Sequence, residues 1–474
     1  MKDCCDGETP KGDFDLLVIG AGSAGFSAAI TAADDGARVA LIGHGTIGGT
    51  CVNVGCVPSK AMIRAVEIIH SARAVDRFDG IEASAKVTDW AAVVRQKQAL
   101  VDDLRAAKYI DVLPNYDAVT YVEGAAQFQA DGSVAVDGKV IKAGKTIIAT
   151  GSRPHIPDID GLENVDWLDS TSALGLEVLP TSLTIMGGGY IGVELAQICA
   201  RAGAKVTIVT RRGLLPEAEP EIRAALTEYF ADEGITVWGG LTYERFERSN
   251  ERVILHSRQN GKPVVVASER LLLTTGRVPN TDNLGLHIAG IKTDKRGGIV
   301  TNAQMRTTVA HVYAAGDATG RDQFVYMAAY GAKIAAKNAM TGAGLVYDNS
   351  TMPAVVFCDP QVASVGMTEA AANAQGIETL TSVLPLEHVP RALAARDTRG
   401  LIKLVADKNS KKLLGAHILA PEGSDSIQTA AMALKAGMTY DDLGAMIFPY
   451  LTTVEGLKLA AQTFEKDVAK SRNL

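Results

Sequence analysis

The sequence predicts an α/β fold with two Rossmann-like dinucleotide-binding domains and a C-terminal α+β domain. Three observations carry this. A strand, a glycine-rich turn and a helix follow one another twice, as DLLVIGAGSAGFSAAITAA near the start and LTIMGGGYIGVELAQICARAG near the middle. The chain has 474 residues and is 47% hydrophobic, enough for roughly three domains with a core each. From about Thr351 the pattern becomes strands (AVVFCD, GLIKLVAD, KLLGAHILA) interleaved with helical stretches, without such glycines.

The chain opens on MKDCCDGETPKGDFD, polar and acidic with no apolar leader, and no later stretch is long and apolar enough to span a bilayer. A formal charge of -7 with interspersed signs leaves no basic stripe for nucleic acid. The expectation is a cytoplasmic protein, with no nucleic-acid partner and no membrane insertion. Residues 1–12 are expected to be a mobile tail carrying the vicinal pair Cys4 and Cys5.

The first apolar strand, Leu16 to Ile19, leads into Gly20, Gly22 and Gly25; the second motif uses Gly187, Gly189 and Gly192. A pyrophosphate held at a helix N-terminus needs close backbone approach, which a Cβ would block. One such motif also fits an ordinary turn, but two in strand-turn-helix context imply two dinucleotides. TIIATGSRP and LLLTTGRVPN read as strands ending in Thr-Gly where a first domain is left and re-entered, and VYAAGDATG follows. The expected boundaries are 13–159 with 282–350 for the first nucleotide domain, 160–281 for the second, and 351–474 for the last.

GGTCVNVGCVPSK places Cys51 and Cys56 just ahead of a helix expected to run on through Ala61 to Ala72. In an ideal helix, residues at that spacing lie about 8 to 9 Å apart at Cα, beyond the roughly 7 Å reach of a disulfide. The first turn must therefore distort, which Gly55 permits, and Pro58 suits an opening turn. At a helix N-terminus the macrodipole favours thiolate, giving a nucleophile or soft-metal ligand. A structural zinc pair is the bland alternative, but no second Cys or His pair stands at ligand spacing. Cys199 and Cys358 sit in apolar runs and read as packing residues.

GGTCVNVGCVPSK, both glycine motifs, ATGSRP and AAGD together resemble the class I flavoprotein pyridine nucleotide-disulfide oxidoreductase family along nearly the whole chain. The resemblance implies FAD in the first motif, NADPH or NADH in the second, Cys56 against the flavin and Cys51 as the exchanging thiol. It implies a homodimer built by the last domain. By the same resemblance Thr50, Lys60, Thr150, Gly151 and Gly316 belong to the FAD site, with Asp317 on the ribityl chain. Lys60 and Glu194 should pair near the flavin, although Glu194 also fits a solvated helix position. One departure is visible. The family puts an acidic residue after the second strand to hold the adenosine ribose, and this chain has Gly43 and His44 there.

After KVTIVT the chain has Arg211 and Arg212 and no carboxylate. Guanidinium groups match a 2′-phosphate, so NADPH is preferred over NADH, with two solvated loop arginines as the alternative. Gly276 joins this site by resemblance. Tyr190, after Gly189, covers the flavin face until nicotinamide arrives, or simply packs.

Relatives that reduce an organic disulfide use a His-Pro-Thr stretch with a Glu behind it to protonate the leaving thiolate. Here FPYLTTVEGLKLAAQTF puts Phe448 at the His position, Tyr450 at the Thr position and Thr453 where the Glu would fall. The last histidine is His417, and Thr452-x-x-Glu455 reads as a capping box. A thiol pair without that acid suits a soft, thiophilic ion. With HVPRA at His388 to Ala392 and QFVYMAA at Gln323 to Ala329, this stretch resembles the mercuric reductase branch. That implies Hg(II), presented as a thiol complex, bound by Cys51 and Cys56 as a dithiolate, with Tyr450 of the partner subunit assisting. That branch commonly ends in a vicinal cysteine pair; this chain ends KDVAKSRNL, and Cys4 and Cys5 become candidates for Hg(II) capture. A low-molecular-weight disulfide as substrate, and a metal-sequestering flavoprotein without turnover, are the competing readings.

Overall fold

A computed structural model describes residues 13–466. The chain divides into two compact units, Met1–Pro58 with Arg95–His155 and Gly276–Asp348, and Ser59–Val94 with Ile156–Thr275 and Asn349–Leu474. No helix among the described residues is long and apolar enough to cross a membrane.

The first unit is built on a five-stranded parallel sheet in the order Val312–Ala314, Ala143–Ile148, Phe14–Ile19, Val39–Gly43, Val119–Glu123. Leu16 pairs with Val39 on one side and Lys145 on the other. Because helices cover a parallel sheet, its central strands are buried on both faces, and VALIG is buried throughout. The helix Ser23–Asp34 follows the glycine turn and packs on Val325–Thr341, both rich in alanine. TGSRP and TGRVP, read as the exit and re-entry, pair antiparallel as Ser152–Pro154 against Arg277–Pro279.

The second unit repeats the parallel design: Thr236–Trp238, Lys205–Val209, Ser182–Met186, Arg270–Leu273, Trp167–Leu168, with the helix Tyr190–Ala202 after its glycine turn. A five-stranded antiparallel sheet, Ala354–Val356, Gln361–Gly366, Leu413–Ala420, Leu401–Asp407, Thr379–Pro385, makes the α+β part. The expected strands are present, except that AVVFCD ends at Val356 and Cys358 lies beyond it, 1% exposed. Lys403, in the Leu401–Asp407 strand, donates to Glu219, Glu221 and Glu369 at 2.9, 2.9 and 2.8 Å. That cluster ties the start of the helix Pro220–Asp232 to the antiparallel sheet.

Both nucleotide turns follow one physical plan. Gly22 and Gly189 stand at the N-caps of their helices in extended backbone, the position at which a helix N-terminus meets an anionic ligand. A Cβ on Gly25 would come within 2.8 Å of the Gly20 carbonyl carbon, and one on Gly192 within 2.7 Å of Thr274 Oγ1. The third glycine of each motif serves helix-to-turn packing.

Candidate active site

Cys51 lies in the short helix Gly49–Val54 and Cys56 opens the 18-residue helix Cys56–Arg73; both are half-buried. The expected distortion takes the form of a break between two helices, with Gly55 at φ −127° and ψ −109°. A Cβ on Gly55 would stand 2.9 Å from the Thr50 carbonyl oxygen and 3.3 Å from the Cys51 Cα, so the reversal between the cysteines demands glycine. Asn53 fastens the loop by donating to the Ile47 and Gly49 carbonyls, both at 2.9 Å, and accepts from Arg105 at 3.1 Å. Thr50 is exposed beside Cys51.

Sequence reasoning missed Tyr109. The helix Trp90–Arg105 runs into a π turn, Ala106–Ile110, which carries Tyr109. Its hydroxyl is 2.9 Å from Ser23 Oγ and its ring meets Phe26 edge-on at 4.9 Å. Burial pushes its phenol pKa up, the bond to Ser23 pulls it down, and charge on Cys51 and Cys56 adds a smaller upward push; a Cβ on Gly48, just ahead of the cysteine loop, would stand 3.0 Å from the Tyr109 ring. No motif marks it: a tyrosine closing an amphipathic helix reads as packing.

The first unit also gathers a cradle at the C-terminal ends of its parallel strands, where such folds bind ligands. Thr150 Oγ1 donates to the Asn280 carbonyl at 2.7 Å and Asn280 Nδ2 donates back to Thr150 O at 3.0 Å, lashing exit to re-entry beside Gly151 (φ +73°). Asp317 accepts from Ser152 Oγ at 2.6 Å, and that hydroxyl accepts from Arg277 Nε at 2.7 Å. A Cβ on Gly316 would stand 3.1 Å from Ala328 and 3.2 Å from Ala24, so the turn presenting Asp317 is packed against two helices. A glycine turn at a helix start and a carboxylate held by a hydroxyl and an arginine fit a dinucleotide with a polyol chain. Gly276 falls in this unit, its carbonyl accepting from His155 at 2.9 Å.

In the second unit, Lys60 pairs with Glu194 at 2.7 and 2.9 Å. Glu194 is 5% exposed and also accepts the Phe357 amide at 2.9 Å, which removes the solvated-helix alternative. Lys60 lies 4.8 Å from the Phe357 ring centroid. Tyr190 is the first residue of its helix and 38% exposed.

Both arginines after KVTIVT are exposed. The Arg211 guanidinium lies over the Tyr243 ring at 5.3 Å, while Arg212 pairs with Glu217 at 2.9 Å, so a carboxylate does approach this loop. Arg223 Nη2 donates to the Arg212 carbonyl at 2.6 Å, and the Leu215 amide donates to Gly188 at 2.7 Å, fixing the loop against the glycine turn.

At the far end Tyr450 is 71% exposed and Ile447 97%. Phe448 packs against the C-terminal core, and Thr453 donates to Glu422 at 3.2 Å. His417 is 2% exposed, bonded to the Met367 carbonyl at 3.0 Å, and burial pushes its pKa down. The capping box is corrected: Thr452 Oγ1 accepts the Glu455 amide at 3.3 Å, but the Glu455 carboxylate takes the Leu451 amide at 3.2 Å, because the helix begins at Glu455 itself. Cys199 is half-buried and desolvation pushes its thiol up to about 12; burial raises Cys358 too. Neither is poised to react. Cys4 and Cys5 lie outside the described residues. Among the described residues no group of three or more His, Cys, Asp or Glu could hold a resident metal ion.

Residues 14–336 match the pyridine nucleotide-disulphide oxidoreductase family, and residues 352–461 match its dimerisation domain. The chain is 45% identical to a mercuric reductase of Lysinibacillus sphaericus over 97% of its own length and 84% of the relative's. It is 45% identical to that of Streptomyces lividans, over 96% and 97%. Among solved structures it is similar to the HOCl-induced flavoprotein disulfide reductase RclA from Escherichia coli, with TM-score 0.84, 32% identity, and 95% and 99% of the two chains covered.

Proposed function

The chain belongs to the pyridine nucleotide-disulphide oxidoreductase family, and from that premise we propose that it is an FAD-containing, NADPH-dependent mercury(II) reductase. The observation that carries this is the far end, where no histidine stands to protonate a leaving thiolate. Phe448 holds that position and packs into the core, and His417 is buried on a backbone carbonyl. Reduction of a dithiolate-bound ion breaks sulfur–metal bonds and leaves two thiolates, so it needs no such acid. The mercuric reductases at 45% identity support the same reading.

Cys51 and Cys56 bind Hg(II), delivered as a thiol complex, as a dithiolate; soft sulfur matches a soft ion. When bound, the cofactors supply the two electrons that turn Hg(II) into Hg(0). Tyr109, with Ser23 behind it, stands beside the sulfur pair as a polar neighbour, and Tyr450 reaches the pair of the partner subunit. Asp317 and the first glycine turn hold FAD, with Thr50, Thr150, Gly151 and Gly316 shaping its site. Lys60 and Glu194 form a fixed ion pair beside it, and the flavin face is covered by Tyr190 until nicotinamide enters. Arg211, Arg212 and the second glycine turn, with Gly276, hold NADPH. Residues 13–159 with 282–350 serve FAD, 160–281 NADPH, and 351–474 the homodimer interface, in the cytoplasm.

A second reading, reduction of a low-molecular-weight disulfide, is favoured by the likeness to a flavoprotein disulfide reductase at 32% identity. The two separate by following NADPH oxidation at 340 nm with Hg(II) in excess thiol, beside a Cys51→Ala, Cys56→Ala variant. Hg-dependent oxidation lost in the variant is the expected result. Consumption only with an organic disulfide would overturn the proposal.

A further inference from the structure

The strand Val39–Gly43 ends in glycine where nucleotide-binding folds of this kind set a carboxylate against the adenosine ribose. The space is not empty. The neighbouring strand, Val119–Glu123, pairs in parallel with Leu41 opposite Tyr121 and Gly43 opposite Glu123, so residues 43, 121 and 123 face the same side. A Cβ on Gly43 would come 2.7 Å from Tyr121 Cε2 and 2.8 Å from its Cζ, inside the phenol. The Tyr121 hydroxyl thus occupies the volume that a side chain at 43 would take. Among the described residues no group hydrogen-bonds to it, and partial burial raises its pKa, keeping it a protonated donor at neutral pH.

We propose that the Tyr121 hydroxyl, reached across from the neighbouring strand, binds the adenosine ribose hydroxyls of FAD in place of the missing carboxylate. This rests on the FAD reading above. Glycine at 43 and tyrosine at 121 are then one device: the first makes room for the second. Glu123, the register partner of Gly43, and the exposed His44 are the rivals for the role.

The test is FAD titration of apoprotein prepared from the full chain, read by flavin fluorescence. Tyr121→Phe keeps the ring and removes one neutral hydrogen bond, so its Kd for FAD should rise about five- to tenfold, while Glu123→Gln and His44→Ala stay within about twofold. Wild type should lose a similar factor for an FAD analogue lacking the adenosine ribose hydroxyls, and Tyr121→Phe should not distinguish the two ligands. A Gly43→Glu, Tyr121→Val double variant should regain the affinity that Tyr121→Val loses. Unchanged FAD affinity in Tyr121→Phe, or loss in Glu123→Gln instead, overturns the proposal. Wild-type apoprotein that binds no FAD overturns the underlying reading along with it.

Discussion

Replacing Lys403 by methionine removes the cation that three carboxylates share. Lys403 is 1% exposed and its ammonium meets Glu219, Glu221 and Glu369. The three carboxylates differ in what they lose: Glu219 has a side-chain exposure of 2%, whereas Glu221 and Glu369 have 40% and 39%. The two exposed ones can turn to water, and their share is about 0 to 1 kcal/mol each. Glu219 cannot, and stranding a buried charge costs about 3 to 5 kcal/mol. Lys403→Met should therefore lower stability by about that amount. At about 2 °C per kcal/mol for a large unit, the calorimetric transition should fall by about 6 to 10 °C. Adding Glu219→Gln removes the stranded charge, keeps an acceptor for the Glu369 amide that Glu219 holds at 2.7 Å, and should recover at least half the loss. Burial alone would depress the lysine pKa, yet the hydrogen bonds that its ammonium donates to Glu369, Glu221 and Glu219 override it and hold it above the ordinary value. A raised pKa means the contribution is complete below the unfolded lysine value of about 10.4. The lysine's own share of the gap should thus be complete across neutral pH and lost only in stronger alkali. A Lys403→Met transition within 2 °C of wild type, or an equal drop in Glu221→Gln, would refute the reasoning.

Tyr109→Phe should cut kcat/KM for Hg(II) about tenfold while leaving KM for NADPH unchanged, measured by steady-state NADPH oxidation. Arg211→Ala should raise KM for NADPH more than tenfold and leave NADH kinetics alone; Arg212→Ala should do less, because Arg212 is already committed to exposed Glu217, and the pair of KM ratios checks both. Replacing Cys4 and Cys5 by alanine should slow turnover at limiting Hg(II) in thiol-poor buffer by a few-fold, and identical progress curves would remove the tail from the delivery route.

The architecture was legible because its signals are local. Two glycine turns, the strands before them and the CVNVGC spacing each fix backbone geometry within a few residues. The far end was legible by subtraction, since a missing histidine needs no structure to be seen. What stayed hidden depends on groups distant in the chain. Tyr109 meets Ser23 across 86 positions, and Glu194 meets the Phe357 amide across 163; no periodicity reports such meetings. Gly43 stands out in the sequence as a departure, but its partner Tyr121 comes from another strand and becomes visible only through register. The acidic neighbour of Arg212 escaped notice because Glu217 follows a turn that carries it back.

The π turn at Ala106–Ile110 has one more consequence. Such a turn amounts to one residue beyond the regular helix, and every side chain after it is rotated by about 100° relative to an uninterrupted α-helix. The direction in which Tyr109 points is therefore set by chain length as well as by residue type. Deleting Ala106 should leave every chemical group of the cysteine loop in place and swing the phenol away from it, so the tyrosine's alignment answers to a one-residue change in length that alters no residue of the loop.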